Sequence, residues 1–81
     1  MLSEVQSSDK VVGIKQTKRA IKENTARLVI VAKDADEHMT GPIIEACGSA
    51  GIPVEFADSM RDLGHACGIE VGAAVVALLK G

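Results

Sequence analysis

The chain has 81 residues, is 47% hydrophobic, carries a formal net charge of −2, and contains one aromatic residue, Phe56. A chain of this length is a single unit that buries only about 60 to 65% of the surface its unfolded form exposes, so much of it must serve the core. That core has to be aliphatic, and the composition excludes nucleic-acid binding by stacking bases on an aromatic platform.

No apolar run approaches the roughly 18 residues of a membrane span, and the N-terminal apolar stretch is too short for a secretory signal, so a cytoplasmic protein is expected. Cys47 and Cys67 have no CxxC spacing and fall among apolar residues at helical period. This predicts buried free thiols rather than a disulfide. The net charge averages two opposed segments. Residues 10–33 hold seven Lys or Arg against one acid, Glu23, whereas residues 34–81 hold two against eight. Such polarity predicts one surface that attracts polyanions and another that keeps the protein in solution.

In chain order, Ser3 is placed to cap a short helix through about Ser8, and Val11-Val12 reads as a brief strand ended by Gly13. From Ile14 to Asn24 the period is helical, with Ile14, Thr17 and Ile21 on one side. Lys15, Lys18, Arg19 and Lys22 then fall at i, i+3, i+4 and i+7, on one stripe where like charges repel unless an anion relieves them. Leu28-Val29-Ile30-Val31-Ala32 is continuously apolar and β-branched, the pattern of a central strand covered on both faces. After the polar loop of residues 33–37 comes a helix with Pro42 near its first turn and Ile43, Ile44, Ala46, Cys47 and Ala50 inward, closed by Gly51 and Pro53. Val54 to Ala57 reads as a short strand. Ser59, with Asp62 three residues on, opens a further helix with Met60, Leu63 and Cys67 inward, ended by Gly68. Residues 69–72 form a loop into a last apolar strand, Ala73 to Leu79. Strands alternating with helices predict a single α/β domain spanning 1–81, a three-layer α/β/α sandwich on a four-stranded mixed sheet.

Catalysis has little support in this pattern. Glycines 64, 68 and 72 do not make a phosphate-binding fingerprint, and there is no P-loop. His38, His65 and the two cysteines lack paired metal-ligand spacing, so neither a metal site nor a cofactor is expected. His65 and Cys67 stand two apart on a helix, where side chains diverge, so a nucleophile pair is disfavoured against a solvent-facing His65 and a core Cys67. The basic stripe carries more. An ordinary solvated helix face is its bland reading. Against that, no acid interrupts the stripe before Glu23, and it begins directly after Gly13, where helix N–H groups and the helix dipole favour phosphate. In Gly68-Ile69-Glu70-Val71-Gly72, two branched apolar residues either tuck into the core or, exposed, offer a small patch for an unstacked base or a protein partner.

The segment Gly13-Ile14-Lys15-Gln16-Thr17-Lys18-Arg19-Ala20 resembles the Gly-x-Asn-Glu-x-x-Lys-Ala signature of the kink-turn RNA-binding family of ribosomal proteins L-seven-Ae and L-thirty-e. Lys33-Asp34-Ala35-Asp36, the run from Leu63 to Ala74, and the closing strand match in order and spacing. The likeness covers nearly the whole chain and is nearest to the small bacterial YbxF-like members. It implies a non-enzymatic domain that stabilises kink-turns, RNA elements in which sheared G·A pairs flank a sharply bent bulge. By this likeness Lys15 and Gln16 face the guanine edges, Arg19 contacts phosphate, and Gly13 admits the RNA backbone closely. Asp36 lines the pocket of the flipped-out nucleotide, and Ile69, Glu70 and Val71, with Gly72, form the loop over it. Lys18, Lys22 and Lys33 join the RNA-binding set as further cations.

Two departures from the family pattern bear on chemistry. Lys15-Gln16 replaces Asn-Glu, so a neutral amide acceptor stands where a carboxylate would form a stronger bond. Met60 replaces a family lysine, removing one phosphate contact. The expected partner is structured RNA, with ribosomal RNA a candidate, bound by a monomer, with no DNA and no membrane. A protein–protein adaptor that uses the same fold and the loop from Ile69 to Gly72 is the alternative.

Overall fold

The computed structural model describes residues 9–80, so the helix expected near Ser3 lies outside the described residues. Within them, strands and helices alternate: β1 (Lys10–Val12), α1 (Ile14–Lys22), β2 (Ala26–Ala32), α2 (Glu37–Ala50), β3 (Val54–Ala57), α3 (Met60–Ala66) and β4 (Val75–Leu79). The sheet order is β1-β4-β2-β3. β2 pairs with β3 in parallel, while β4 runs antiparallel to both β1 and β2.

Two apolar layers cover the sheet. On one face Val29, Val31, Val75 and Ala77 pack with Ala20 and Ile21 of α1 and Ile43 and Cys47 of α2. On the other, Leu28, Ile30, Ala32, Val76 and Leu78 pack with Leu63 and Ala66 of α3. This is the α/β/α sandwich with a four-stranded mixed sheet that the alternating pattern predicts. β2 is flanked by strands on both sides and by helices on both faces, which is why five consecutive residues, 28–32, are all buried. Arg27 is the exposed exception, at the point where the register with β4 shifts. That extra residue puts Ala26 and Val29, an odd number apart, on the same face.

The helices are stopped by identifiable residues. α1 gives way to Asn24 in the left-handed region at φ 57. α2 starts one and a half turns before Pro42, because the Asp36 carboxylate caps it by accepting from the His38 N–H at 2.9 Å. Pro42 therefore sits inside the helix and not near its first turn. It lies on an exposed position, where the carbonyl it leaves without an amide partner can face water. The inward face of α2 is Thr40, Ile43 and Cys47, with Ile44 and Ala46 half-buried; Ala50, expected inward, is exposed, one residue before the Gly51 cap at φ 72. Ser59 caps α3 by accepting from the Asp62 N–H at 3.0 Å. β4 begins at Val75, two residues later than the apolar run suggests. Ala73 and Ala74 instead make loop contacts, with the Ala73 N–H donating to the Met60 carbonyl at 3.0 Å and the Ala74 carbonyl accepting from Ala32 at 2.9 Å.

Candidate nucleic-acid interface

Because β1, β2 and β3 all run in one direction and β4 in the other, the ends of the first three and the start of the fourth meet at one edge of the sheet. Backbone bonds tie this edge together. Gly13 N–H donates to the Val75 carbonyl at 2.9 Å, and Lys33 N–H donates to the Ala57 carbonyl at 2.9 Å. The three helices among the described residues start here, and the loop that precedes β4 runs back along α3 and ends here. In α/β sheets ligands bind outside the carboxyl ends of parallel strands, since backbone groups and helix N-termini are free there. Gly13, Lys15, Gln16, Lys33, Asp36 and residues 69–72, separated by up to 59 positions in sequence, are thus brought to one edge. Lys18, Arg19 and Lys22 extend the stripe down α1 away from it.

The three helix N-termini differ. α2 and α3 are capped by Asp36 and Ser59, whereas α1 follows Gly13 with no side-chain cap and no acid in its first turn. Its leading N–H groups keep their donor capacity, and the dipole there is uncompensated. Gly13 has φ 108, a conformation that L side chains rarely adopt, and a Cβ built on it meets nothing within 4 Å. Glycine is required there by backbone angle, and the space in front of it is open.

The cations are not equivalent. Arg19 Nε lies 3.1 Å from Glu23 Oε2, an exposed i,i+4 pair. Lys33 Nζ lies 3.5 Å from Asp58 Oδ1, also exposed. Both pairs are worth little in water and yield readily to a stronger anion. Lys15, Lys18 and Lys22 are exposed and form no ion pair among the described residues. Gln16 and Arg19 line a depression of about 280 Å³ together with Val11, Ala20, Glu23, Thr25 and Leu79, between α1 and the β1 side of the sheet.

On the other side of the edge, Ile69 is half-buried against the α3-side core, while Val71 is 71% exposed. The two branched residues therefore divide the alternatives that the sequence left open: one anchors the loop and the other projects from it. The loop and α3 enclose an open depression of about 610 Å³ lined by Arg61, Asp62, His65 and residues 69–72. Met60, at the start of α3, is half-buried against the core and offers no charge.

Three participants escaped sequence reasoning. Asp34 Oδ1 accepts from the Met60 N–H at 2.7 Å, so it, and not Asp36, ties the β2–α2 loop to α3. Arg61 and His65 face the loop at i,i+4. The available signal was that Arg61 is one of only two cations after residue 33. Cys47 packs with α1 and α2 and Cys67 against the opposite core layer, so the sheet separates the two free thiols.

A small α/β/α sandwich that brings the uncapped start of a basic helix and a projecting loop to one sheet edge is a binding domain of the ribosomal L7Ae kind. The chain belongs to the ribosomal protein L7Ae/L30e/S12e/Gadd45 family, which matches over residues 1–81. It is 50% identical over 76 residues, 94% of this chain and 93% of the relative, to an RNA-binding protein of a Geobacillus species. It is 49% identical over the same shares to the RNA-binding protein YbxF of Geobacillus stearothermophilus. Among solved structures, the Giardia lamblia 15.5kD RNA binding protein superposes with a TM-score of 0.90 at 28% identity, covering 99% of this chain and 71% of that one.

Proposed function

We propose that this protein is a non-enzymatic RNA-binding domain that recognises and holds kink-turn RNA, acting in the cytoplasm as a passive clamp. The observation that carries the reading is the shared sheet edge: the uncapped N-terminus of α1, with Lys15 and Gln16 in its first turn, follows Gly13, whose N–H is bonded to Val75 at the start of β4, just after the loop that bears the exposed Val71. Relatives that carry the name RNA-binding protein at about half identity over nearly the whole chain support it.

The roles follow from chemistry. Lys15 and the Gln16 carbonyl oxygen meet guanine edges at the sheared pairs, Gln16 accepting and Lys15 supplying charge. Gly13 leaves the approach to the helix N-terminus open. Lys18, Arg19 and Lys22 neutralise phosphates that bending brings together, and Lys33 adds a further cation at the edge. Asp36, Ile69, Glu70, Val71 and Gly72 flank the extruded nucleotide. Because repulsion between phosphates is greatest where bending crowds them, and the loop meets its nucleotide only in that form, the protein selects the bent form from the RNA ensemble.

Calorimetric titration at one fixed salt tests this, using a kink-turn RNA and a control whose G·A pairs are replaced by Watson–Crick pairs. Tight binding to the kink-turn alone is expected. Equal or absent binding overturns the assignment, and a salt-insensitive protein complex dependent on Val71 would move the adaptor reading forward.

A further inference from the structure

Besides the packing of Ile69 on the core, the loop from Gly68 to Ala74 is joined to α3 through backbone hydrogen bonds. Ile69 N–H donates to the Gly64 carbonyl at 3.1 Å, and Ala73 N–H donates to the Met60 carbonyl at 3.0 Å. These are two carbonyls one helical turn apart on the same helix. Between them the chain comes so close that a Cβ on Gly64 would collide with the Val71 carbonyl oxygen and stand 3.0 Å from the Gly72 Cα. From the other side, a Cβ on Gly72 would stand 3.1 Å from the Met60 Cβ. Gly64 is fully inside a helix and buried, where glycine is otherwise a poor choice. By contrast Gly48, also helical, has open space around its missing side chain. Helix propensity thus gives Gly64 no reason to be there; the approach of the loop does.

We propose that Gly64 is a positioning residue for RNA recognition: its missing side chain forms the seat on which the 68–74 loop is held ready before RNA arrives. The proposal rests on the RNA reading given above. It assigns the seat to a residue that touches no RNA, and it makes the loop a rigid extension of α3. The obstacle to any larger residue is a backbone carbonyl, which cannot rotate away as a flexible side chain tip can. Gly64→Ala must therefore lift the loop, carrying Val71 and Glu70 off their places at the edge, while α1 and its cations stay where they are.

Two measurements test it. In the RNA-free wild type, hydrogen exchange should protect the Ile69 and Ala73 amides as well as the Cys67 amide, which bonds within α3 to Leu63; free exchange at Ile69 and Ala73 would overturn the seat. In titrations at a temperature where circular dichroism shows every variant folded, Gly64→Ala should lose about tenfold or more in kink-turn affinity. Its weak binding to plain duplex RNA, which depends on the α1 stripe, should stay unchanged, and Gly48→Ala should match wild type. In a Val71→Ala background the loss from Gly64→Ala should shrink, whereas in a Lys15→Ala background it should persist in full. Kink-turn affinity of Gly64→Ala equal to wild type overturns the proposal while leaving the RNA reading intact; no kink-turn binding by the wild type overturns the RNA reading and the proposal with it. Should Gly64→Ala fail to fold, the amide exchange of the wild type still decides, together with Gly72→Ala, which presses on Met60 from the opposite side and should lower kink-turn affinity in the same direction.

Discussion

Thr17 lies on the buried side of α1 with no exposed surface, and its hydroxyl oxygen has no hydrogen-bond partner among the described residues. An unsatisfied buried hydroxyl costs roughly 1 kcal/mol or more, and valine has nearly the same shape. Thr17→Val should therefore raise stability by about 1 kcal/mol, seen as an upward shift of Tm in a thermal melt, with RNA affinity unchanged because the side chain faces away from the stripe. A lower Tm would mean that the hydroxyl does contribute. The cysteines make a second residue-scale case. Burial pushes the Cys47 thiol up, and burial pushes the Cys67 thiol up with Lys10 drawing it part of the way back. A raised thiol binds its proton more tightly in the folded than in the unfolded chain. Stability linked to it is thus complete below the ordinary thiol range and falls as pH climbs through the folded value. Melts at increasing alkaline pH should show this fall, reduced in Cys47→Ala relative to that variant's own neutral-pH stability; a flat profile would contradict it.

At the scale of elements, α2 depends on its ends and its packing more than on propensity. It contains Gly41, Pro42 and Gly48, yet Asp36 caps its start and Gly51 its end. Gly48 is exposed with nothing within 4 Å of a Cβ, so Gly48→Ala should stabilise the protein by about 0.5 to 1 kcal/mol, read as a higher midpoint in denaturant. Asp36 holds two posts, helix cap and proposed pocket wall. Asp36→Asn should keep most of the cap, since asparagine caps as well, and any loss of RNA affinity then reports on the second post. The basic stripe of α1 is an element property too. Removing Lys18 should lower the slope of log affinity against log salt by about 0.7 to 0.9, one phosphate contact, and weaken all RNAs alike. An unchanged slope would return Lys18 to the bland role of a solvated surface residue.

What the sequence disclosed and what it withheld divide along the same lines. The β2 strand, the α1 stripe and the Ser59 and Gly51 caps are local patterns, and the structure has them where the residues say. Pro42 points to a helix start close before it, whereas the Asp36 cap in the preceding polar loop sets the start of α2 and the helix tolerates the proline. Ala50 looked inward because an apolar residue at the end of a helix is indistinguishable in sequence from one in its middle. The joining of Asp34 to Met60 and of Gly64 to Val71 depends on which strand ends meet, and no local pattern carries that. The stripe and the loop were legible as separate candidates. Their meeting at one edge follows only from β1, β2 and β3 running parallel with β4 reversed.

For the molecule as a whole, the proposed agent of recognition is a preformed edge, with charge supplying attraction and shape supplying choice. Family membership and the superposition with the Giardia protein fit that scale of description. The most direct test is fluorescence energy transfer on a kink-turn RNA labelled at the ends of its two arms, at low magnesium, where the free RNA is extended. Added wild-type protein should bring the labels together in a saturable transition, and Lys15→Ala with Gln16→Ala should shift that transition to much higher protein concentration. Labels that stay apart when the protein is demonstrably bound would contradict the account, because the protein would then be gripping RNA without selecting its bent form.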